Sequence, residues 1–258
     1  MLTDDTLHSK YELELSQYDT IPFFKNGNKE RYINYKMVNQ QKSWMEIITF
    51  INLDLDNKFY SNIKIVTDPD SHITLVNKHN QLPKDFIPKD LEEINSAFSI
   101  EGLKLRHIAR EAFEEMCIAA SRIGLILTAI STYRSYTYQE KVYLKWKTDD
   151  ITMEDYQRER DKVSARAGHS EHQTGLAVDI NDLEETFEQT AEGIWLARNS
   201  YQFGFILRYP KGKESITGYN YEPWHFRYVG LSLAEAILRS GITYDEYYIR
   251  YLRPEIET

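Results

Sequence analysis

Three of the seven histidines lie in two short segments that are rich in residues able to bind a metal ion or move a proton. The first segment contains His172 and, seven residues later, Asp179, whereas the second contains Glu222 and His225. Imidazole and carboxylate groups both bind zinc, and a catalytic zinc ion needs three protein ligands and one open position. His172, Asp179 and His225 could supply the three ligands, which would leave Glu222 available as a base.

Asp179 could have a structural role instead of binding a metal ion. It lies in the apolar run 176–180, where a carboxylate destabilises the fold unless its charge is matched. Gly175 permits a tight turn that would bring His172 near Asp179. Asp179 and Glu222 could instead be structural carboxylates satisfied by backbone amides, and each motif alone leaves this alternative open. The presence of both motifs in one chain favours the metal site.

The composition narrows both the class of protein and the set of possible ligands. The chain has 258 residues, and its 31 Lys and Arg against 40 Asp and Glu give a net charge of −9. This acidity argues against a nonspecific nucleic-acid binder, which needs a basic surface. Aromatic residues make up 13% of the chain, which argues against disorder. Cys117 is the single cysteine, so a metal ion must be held by His, Asp and Glu rather than by several thiolates.

The elements that must position these residues are helices and short strands without regular βαβ spacing. This pattern predicts an α+β fold, and we expect a small central antiparallel sheet with flanking helices. The clearest helix is 105–122, where apolar residues recur with a period of 3.6. A buried strand at 125–131 leads directly to Arg134. Further short strands are predicted at 73–76, 176–180, 205–209 and 221–229.

The chain is expected to form two parts. Residues 1–100 carry no recognisable catalytic arrangement and are interpreted as an N-terminal extension packed on a catalytic domain, residues 101–258. No run of 18 consecutive apolar residues occurs, so no transmembrane segment is predicted. The N-terminal sequence lacks the features of a signal peptide. Two locations remain open: the cytoplasm, or the outside of the membrane for a protein whose signal or anchor is absent from this chain.

Two motifs together resemble those of a known family. They are Ser170-x-His172-x-x-Gly175-x-Ala177-x-Asp179 and Glu222-x-x-His225, preceded by Tyr133-Arg134-Ser135-Tyr136-x-x-Gln139. The arrangement resembles the zinc carboxypeptidases of the VanY/LdcB type, which are D-alanyl-D-alanine and L,D-carboxypeptidases of bacterial peptidoglycan metabolism with a hedgehog-like peptidase fold. The resemblance covers about residues 29–250. Ala167 and Thr132 depart from the family pattern, and both departures concern loop rigidity rather than ligand contacts.

The resemblance implies a metal centre with one zinc ion per chain. His172, Asp179 and His225 would bind the ion, and Glu222 would be the catalytic base. His169 is next to the motif and could replace His172 as a ligand. The spacing to Asp179 and the family pattern both favour His172, and we expect His169 to lie exposed on the loop.

The resemblance also implies a set of residues that contact the substrate. Arg134 would stabilise the oxyanion that develops at the attacked carbonyl and, with Gln139 and Ser170, would hold the terminal carboxylate. A surface ion pair is the alternative explanation for Arg134. Tyr209 and Trp224 would line the pocket, although Trp224 could equally pack in the core.

The implied function is that of a zinc-dependent carboxypeptidase that removes the C-terminal D-alanine from peptidoglycan stem peptides or precursors. The bond could be D-Ala-D-Ala or an L,D bond. Two alternatives are a peptidoglycan endopeptidase of the same fold and a noncatalytic zinc-containing wall-binding module. We expect an extracytoplasmic, cell-wall or membrane-associated location, with the cytoplasm as the alternative. No nucleic acid partner is expected, and a monomer is favoured.

Overall fold

The computed structural model describes residues 4–253, and residues 1–3 and 254–258, which the two predicted domains include, lie outside the described residues. The α-helices of the described part are α1 (Asp4–Leu15), α2 (Lys29–Val38), α3 (Trp44–Asn52), α4 (His107–Ser121), α5 (Tyr136–Leu144), α6 (Met153–Arg160), α7 (Ala191–Asn199), α8 (Glu214–Thr217), α9 (Leu231–Ser240) and α10 (Tyr244–Tyr247). A π-helix, Tyr248–Leu252, follows α10. None of the helices in this range is long and apolar enough to span a membrane.

The chain forms two compact units. Of the described residues, one unit contains 4–62 together with 244–253, and the other contains 63–243. This division differs from the boundary that we predicted at residue 100. The assignment of catalysis to residues 101–258 stays a prediction, because compactness alone does not show which residues a reaction needs.

The first unit is held together by helix caps and ion pairs. Helix α3 begins at Ser43, whose hydroxyl accepts from the backbone N–H of Glu46 while the Glu46 carboxylate accepts from the backbone N–H of Ser43. This reciprocal cap satisfies two amide donors that a helix end leaves free. Arg31 of α2 pairs with Asp54 and Asp56 just beyond α3, which fixes the two helices against each other.

The strands of the second unit form one larger sheet and two pairs. They are β1 (Lys64–Ile65), β2 (Asn80–Gln81), β3 (Leu91–Glu93), β4 (Lys104–Arg106), β5 (Ala129–Ser131), β6 (Ala177–Ile180), β7 (Phe205–Leu207) and β8 (His225–Tyr228). The larger sheet has the order β5-β6-β8-β7, and all of its pairs are antiparallel. The predicted α+β fold with a small antiparallel sheet is confirmed.

The strand predicted at residues 73–76 is wrong, because this apolar stretch is buried without joining a sheet. The backbone groups of Thr74 are paired outside any sheet: its N–H donates to the carbonyl of Ser71 at 3.2 Å, and its carbonyl accepts from Arg227 at 2.9 Å. Leu75 and Val76 still contribute apolar surface to the interior. Burial therefore explains the apolar pattern here without a strand.

The core that supports the sheet lies between β5–β8 and helix α4. Phe113 and Met116 of α4 pack in the same cluster as Val178 of β6 and Phe226 of β8. Cys117 is buried in this cluster, and burial raises the pKa of its thiol to about 12. A thiol that stays protonated is a poor nucleophile, so Cys117 is core filler, as its helical position indicates.

Candidate metal centre

The first ligand motif lies on a turn that requires glycine at its end. The Ser170 hydroxyl accepts from the backbone N–H of His172 at 3.3 Å and begins the short 3-10 helix Glu171–Thr174. Gly175 ends this helix with a φ of 68°, and a Cβ added there would lie 2.8 Å from the side chain of Leu91. Left-handed backbone and close packing both favour glycine, and the turn predicted at Gly175 is confirmed.

The other two candidate ligands lie on neighbouring strands. Asp179 of β6 is directly opposite His225 of β8 in the antiparallel register. Residues that are directly opposite in such a pair point to the same face of the sheet. The ring of His172 meets the ring of His225 edge-on, with centroids 5.0 Å apart. A turn and two strands therefore bring the three side chains to one point.

The donor atoms of these side chains fit a metal ion better than they fit each other. The Nε2 atom of His172 lies 3.2 Å from Oδ2 of Asp179, and Nδ1 of His225 lies 3.1 Å from Oδ1 of Asp179. Nevertheless, Nε2 of His172 and Oδ1 of Asp179 make no hydrogen bond within the described residues. One donor atom from each residue lies within 4.8 Å of the others. Two imidazoles and one carboxylate form a donor set that suits zinc.

The orientation of His172 is set by a backbone carbonyl. Its Nδ1 atom lies 2.7 Å from the carbonyl oxygen of Thr132, so Nδ1 carries the proton and the lone pair of Nε2 faces Asp179. The Thr132 hydroxyl in turn accepts from the backbone N–H of Lys104 at 3.1 Å. The threonine that departs from the family pattern thus ties this loop to β4.

Burial and neighbouring charges shift the pKa of each of the three candidate ligands. Burial, and then the Arg134 guanidinium, lower the pKa of His172 to about 4, which keeps its imidazole neutral. Burial alone would raise the pKa of Asp179, but the two histidines hold it well below its usual range. Burial alone would lower the pKa of His225, but the neighbouring Asp179 and Glu171 carboxylates raise it to about 9. His225 must therefore release its proton to bind a metal ion.

Glu222 faces the same centre from the turn before β8. The backbone N–H of Glu222 donates to the carbonyl of Tyr209 at 3.2 Å, which positions this turn beside the end of β7. Burial, and then the negative charge of Asp179, raise the pKa of Glu222 to about 7. A carboxyl group with a pKa near neutrality can both accept and return a proton at ordinary pH.

Arg134 lies in the cleft immediately after β5. Its backbone N–H donates to the carbonyl of His172 at 3.1 Å, and its Nη2 atom lies 3.9 Å from Oδ2 of Asp179. The side chain is 19% exposed, so the guanidinium is open to the cleft from one side. This position differs from that of a surface ion pair, which was the alternative.

Gln139 and Ser170 offer different hydrogen-bonding atoms to the cleft. The Nε2 atom of Gln139 donates to the carbonyl of Ala165 at 2.7 Å, and its Oε1 atom is buried without a hydrogen bond in the described part of the chain. Gln139 lines the cleft, and its unsatisfied atom is an acceptor. Ser170 accepts from His172, so its hydroxyl hydrogen can point into the cleft as a donor.

The walls of the cleft include two aromatic residues. The ring of Tyr209 lies 4.9 Å from the ring of His225, and Trp224 both lines the cleft and packs against the core cluster. The cleft has a volume of about 510 Å³. Its lining includes every residue predicted for the site: Arg134, Gln139, Ser170, His172, Asp179, Tyr209, Glu222, Trp224 and His225.

The structure contains one charged cluster that the sequence does not predict, and it contradicts the expected exposure of His169. Glu171, Arg208 and Arg227 are buried ionised residues that pair behind the centre. Nothing in the sequence relates these arginines to Glu171, which lies within the motif at a position of no fixed type. His169 is buried rather than exposed, and its Nδ1 atom lies 2.8 Å from the carbonyl of Asn77.

The chain is similar to carboxypeptidases, both in a family profile and in an individual relative. The family profile described as VanY, D-alanyl-D-alanine carboxypeptidase, matches residues 102–231. A relative from Bacillus subtilis strain 168, the putative carboxypeptidase YodJ, is 38% identical over 210 residues, which are 75% of this chain and 75% of the relative.

Two solved structures extend the comparison to the fold. The LdcB LD-carboxypeptidase superposes with a TM-score of 0.67 at 38% identity, covering 75% of this chain and 92% of that chain. A mutant of the vancomycin-resistance D,D-pentapeptidase VanY in complex with Zn(II) superposes with a TM-score of 0.58 at 33% identity, covering 68% of this chain and 98% of that chain.

Proposed function

The chain belongs to the VanY family of D-alanyl-D-alanine carboxypeptidases, and on this basis we propose that it is a zinc-dependent carboxypeptidase that removes the C-terminal D-alanine from peptidoglycan stem peptides. The observation that carries the proposal is the convergence of His172, Asp179 and His225 beside Glu222 in one cleft. Two imidazoles and one carboxylate suit zinc, and the VanY relative was solved in complex with Zn(II). Bound by these three residues, zinc would supply a Lewis acid that acidifies water and polarises a carbonyl group.

Glu222 is the proton carrier of the proposed reaction. Its carboxylate accepts a proton from the attacking water and returns it to the amine of the leaving D-alanine. The pKa near 7 that burial gives this group supports both transfers, because neither protonation state is strongly favoured at neutral pH. Its position beside His225, at 3.6 Å from Oε2 to Nδ1, keeps the carboxylate within reach of the centre.

Arg134 and Ser170 provide donors for the negatively charged parts of the substrate. The Arg134 guanidinium suits the terminal carboxylate that distinguishes a carboxypeptidase substrate, and its positive charge would also stabilise an oxyanion at the attacked carbonyl. The Ser170 hydroxyl adds a neutral donor. For Gln139 we propose a role other than the carboxylate contact that the resemblance implies, because its atom without a hydrogen bond in the described residues is the acceptor Oε1. We assign this atom to a peptide N–H of the substrate.

The substrate determines where the enzyme would act. Peptidoglycan stem peptides are assembled into a wall outside the cytoplasmic membrane, so we propose an extracytoplasmic, wall- or membrane-associated location. The preference for a monomer stays a prediction. The alternatives of an endopeptidase and a noncatalytic wall-binding module are distinguished by the same experiment that tests the main proposal.

The experiment is product analysis by mass spectrometry with zinc-loaded protein and synthetic tetrapeptide and pentapeptide stems. Loss of one D-alanine from the pentapeptide alone would show D,D activity, and loss from the tetrapeptide would show L,D activity. Matched peptides with amidated C-termini should be cleaved poorly, because they lack the carboxylate that Arg134 recognises. Cleavage within the stem regardless of amidation would show an endopeptidase. Binding of zinc without cleavage of any stem would overturn the proposal.

A further inference from the structure

Glu171 is a buried carboxylate that the proposed reaction does not use. Its Oε1 atom accepts from Nε of Arg208 at 2.7 Å and from Nη1 of Arg227 at 2.9 Å. The three side chains are at most 1% exposed. Removing such charges from water is strongly unfavourable unless they are paired, so these contacts fix the carboxylate in place.

The two arginines are themselves anchored. Nη2 of Arg227 donates to the carbonyls of Thr74 and His72, at 2.9 and 3.1 Å. The backbone N–H of Arg208 donates to the carbonyl of His225 at 3.2 Å, which places this guanidinium beside the strand of the ligand. Glu171 is therefore held by groups that cannot readily follow it if it moves.

The second oxygen of Glu171 points at a candidate metal ligand. Its Oε2 atom lies 3.7 Å from Nε2 of His225, the ring nitrogen on the side away from Asp179. Both atoms are buried, and neither has a hydrogen bond within the described residues. Buried polar atoms are nearly always hydrogen-bonded, since leaving one unsatisfied costs about 1–3 kcal/mol. A shift of about 0.7 Å would bring this pair into hydrogen-bonding range.

We propose that Glu171 is a positioning residue for His225, with Oε2 accepting a hydrogen bond from the Nε2–H group so that Nδ1 is left for the metal ion. Such a partner fixes the tautomer and the ring orientation of a histidine ligand. Glu171 directly precedes His172, so one short 3-10 helix presents the first ligand and orients another. The inference rests on the proposed function, because it assumes that zinc binds at this centre.

The test compares the zinc affinity of Glu171→Asp with that of the wild type, by competition with a chelator of known affinity. Aspartate keeps a negative charge for the arginines but is one methylene shorter, so it cannot reach both them and His225. We expect zinc affinity to fall roughly 10- to 100-fold. Glu114→Asp is the matched control, because Glu114 pairs with Arg110 on α4 and has no contact with the ligands in the described structure. Its zinc affinity should equal that of the wild type.

A second measurement needs no variant and covers the case in which Glu171→Asp does not fold. In zinc-loaded wild type, ¹H–¹⁵N spectra of the histidine side chains should show His225 bound through Nδ1, with a slowly exchanging proton on Nε2. Ligation through Nε2, or a rapidly exchanging Nε2 proton, would overturn the inference, as would a folded Glu171→Asp with unchanged zinc affinity. Wild type that binds no zinc would instead contradict the proposed function itself.

Discussion

Glu222 and His225 face the same point of the cleft from one turn. Oε2 of Glu222 lies 3.6 Å from Nδ1 of His225, and the backbone N–H of His225 donates to the carbonyl of Glu222 at 3.2 Å. The turn thus fixes the distance between a candidate ligand and the candidate base. This arrangement separates two roles that mutagenesis can test one at a time.

Glu222→Gln should abolish most of the activity while leaving zinc bound. The amide has nearly the same shape as the carboxylate but cannot accept the proton of the attacking water. We expect kcat to fall about 10²- to 10⁴-fold, the usual contribution of a general base. The measurements are the rate of D-alanine release and the zinc content after dialysis. Wild-type activity in a zinc-loaded Glu222→Gln would show that another group takes the proton.

Asp179→Asn, in contrast to Glu222→Gln, should reduce activity because it weakens the binding of zinc. Asp179 is the one carboxylate of the donor set and lies between the two imidazoles, so its charge offsets that of the cation. We expect zinc affinity to fall by more than the roughly 10- to 100-fold typical of groups that only orient a ligand. Chelator competition measures this affinity. Activity should return at high zinc concentration if the substitution impairs only the binding of zinc.

The metal centre is the part of the molecule that the sequence predicts best, and its geometry explains why. Asp179 lies seven positions after His172, and the segment between them contains its own turn, so their proximity is a local property. His225 then needs only to pair beside Asp179, and alternation along two short antiparallel strands directs both side chains to one face. Local spacing and strand periodicity are both readable from a single sequence.

Contacts between distant residues could not be predicted in this way. Glu171 pairs with Arg208 and Arg227, which are 37 and 56 residues further along the chain, and charge pairing leaves no periodic trace in a sequence. His169 was expected on the surface, because loop position and polarity suggest exposure. It is buried by contact with Asn77, which lies 92 residues earlier. Both cases depend on which segments the fold brings together.

Gln139→Met should weaken substrate binding more than it slows the chemical step. The substitution removes the Oε1 acceptor that we assign to a substrate N–H, a contact made in both the ground state and the transition state. Loss of one hydrogen bond of about 1 kcal/mol predicts a rise in KM of roughly 5- to 10-fold with kcat nearly unchanged. Steady-state kinetics with the preferred stem peptide measure both constants.

Gln173→Met is the matched control for the Gln139 variant. Gln173 is also a buried amide whose Nε2 donates to a backbone carbonyl, that of Pro83 at 3.0 Å, and whose Oε1 has no hydrogen bond in the described part of the chain. It does not line the cleft. Both variants should lose similar stability, but only Gln139→Met should raise KM. Equal KM values would contradict the assignment of Gln139 to the substrate.

His169 should make the protein less stable in acid. Burial lowers the pKa of His169 to about 4, whereas an unfolded histidine titrates near 6.5. Between these values the unfolded chain binds a proton that the folded chain does not, so the free energy of unfolding falls as the pH falls. The contribution of His169 is fully present above pH 6.5 and decreases by up to about 3 kcal/mol towards pH 4.

His169→Gln should flatten this dependence, because the glutamine amide can still donate to the carbonyl of Asn77 but does not titrate. The measurement is urea unfolding from about pH 4 to pH 8 in the presence of chelator, which removes the separate pH dependence of zinc binding. His107→Gln is a control in which the pH dependence has the opposite sign. In the wild type, the hydrogen bond with Glu92 raises the pKa of the exposed His107. His107 therefore stabilises the fold below its pKa, and this effect is lost as the pH rises. If the free energy of unfolding falls equally steeply with falling pH in His169→Gln and in the wild type, His169 is already charged in the folded protein.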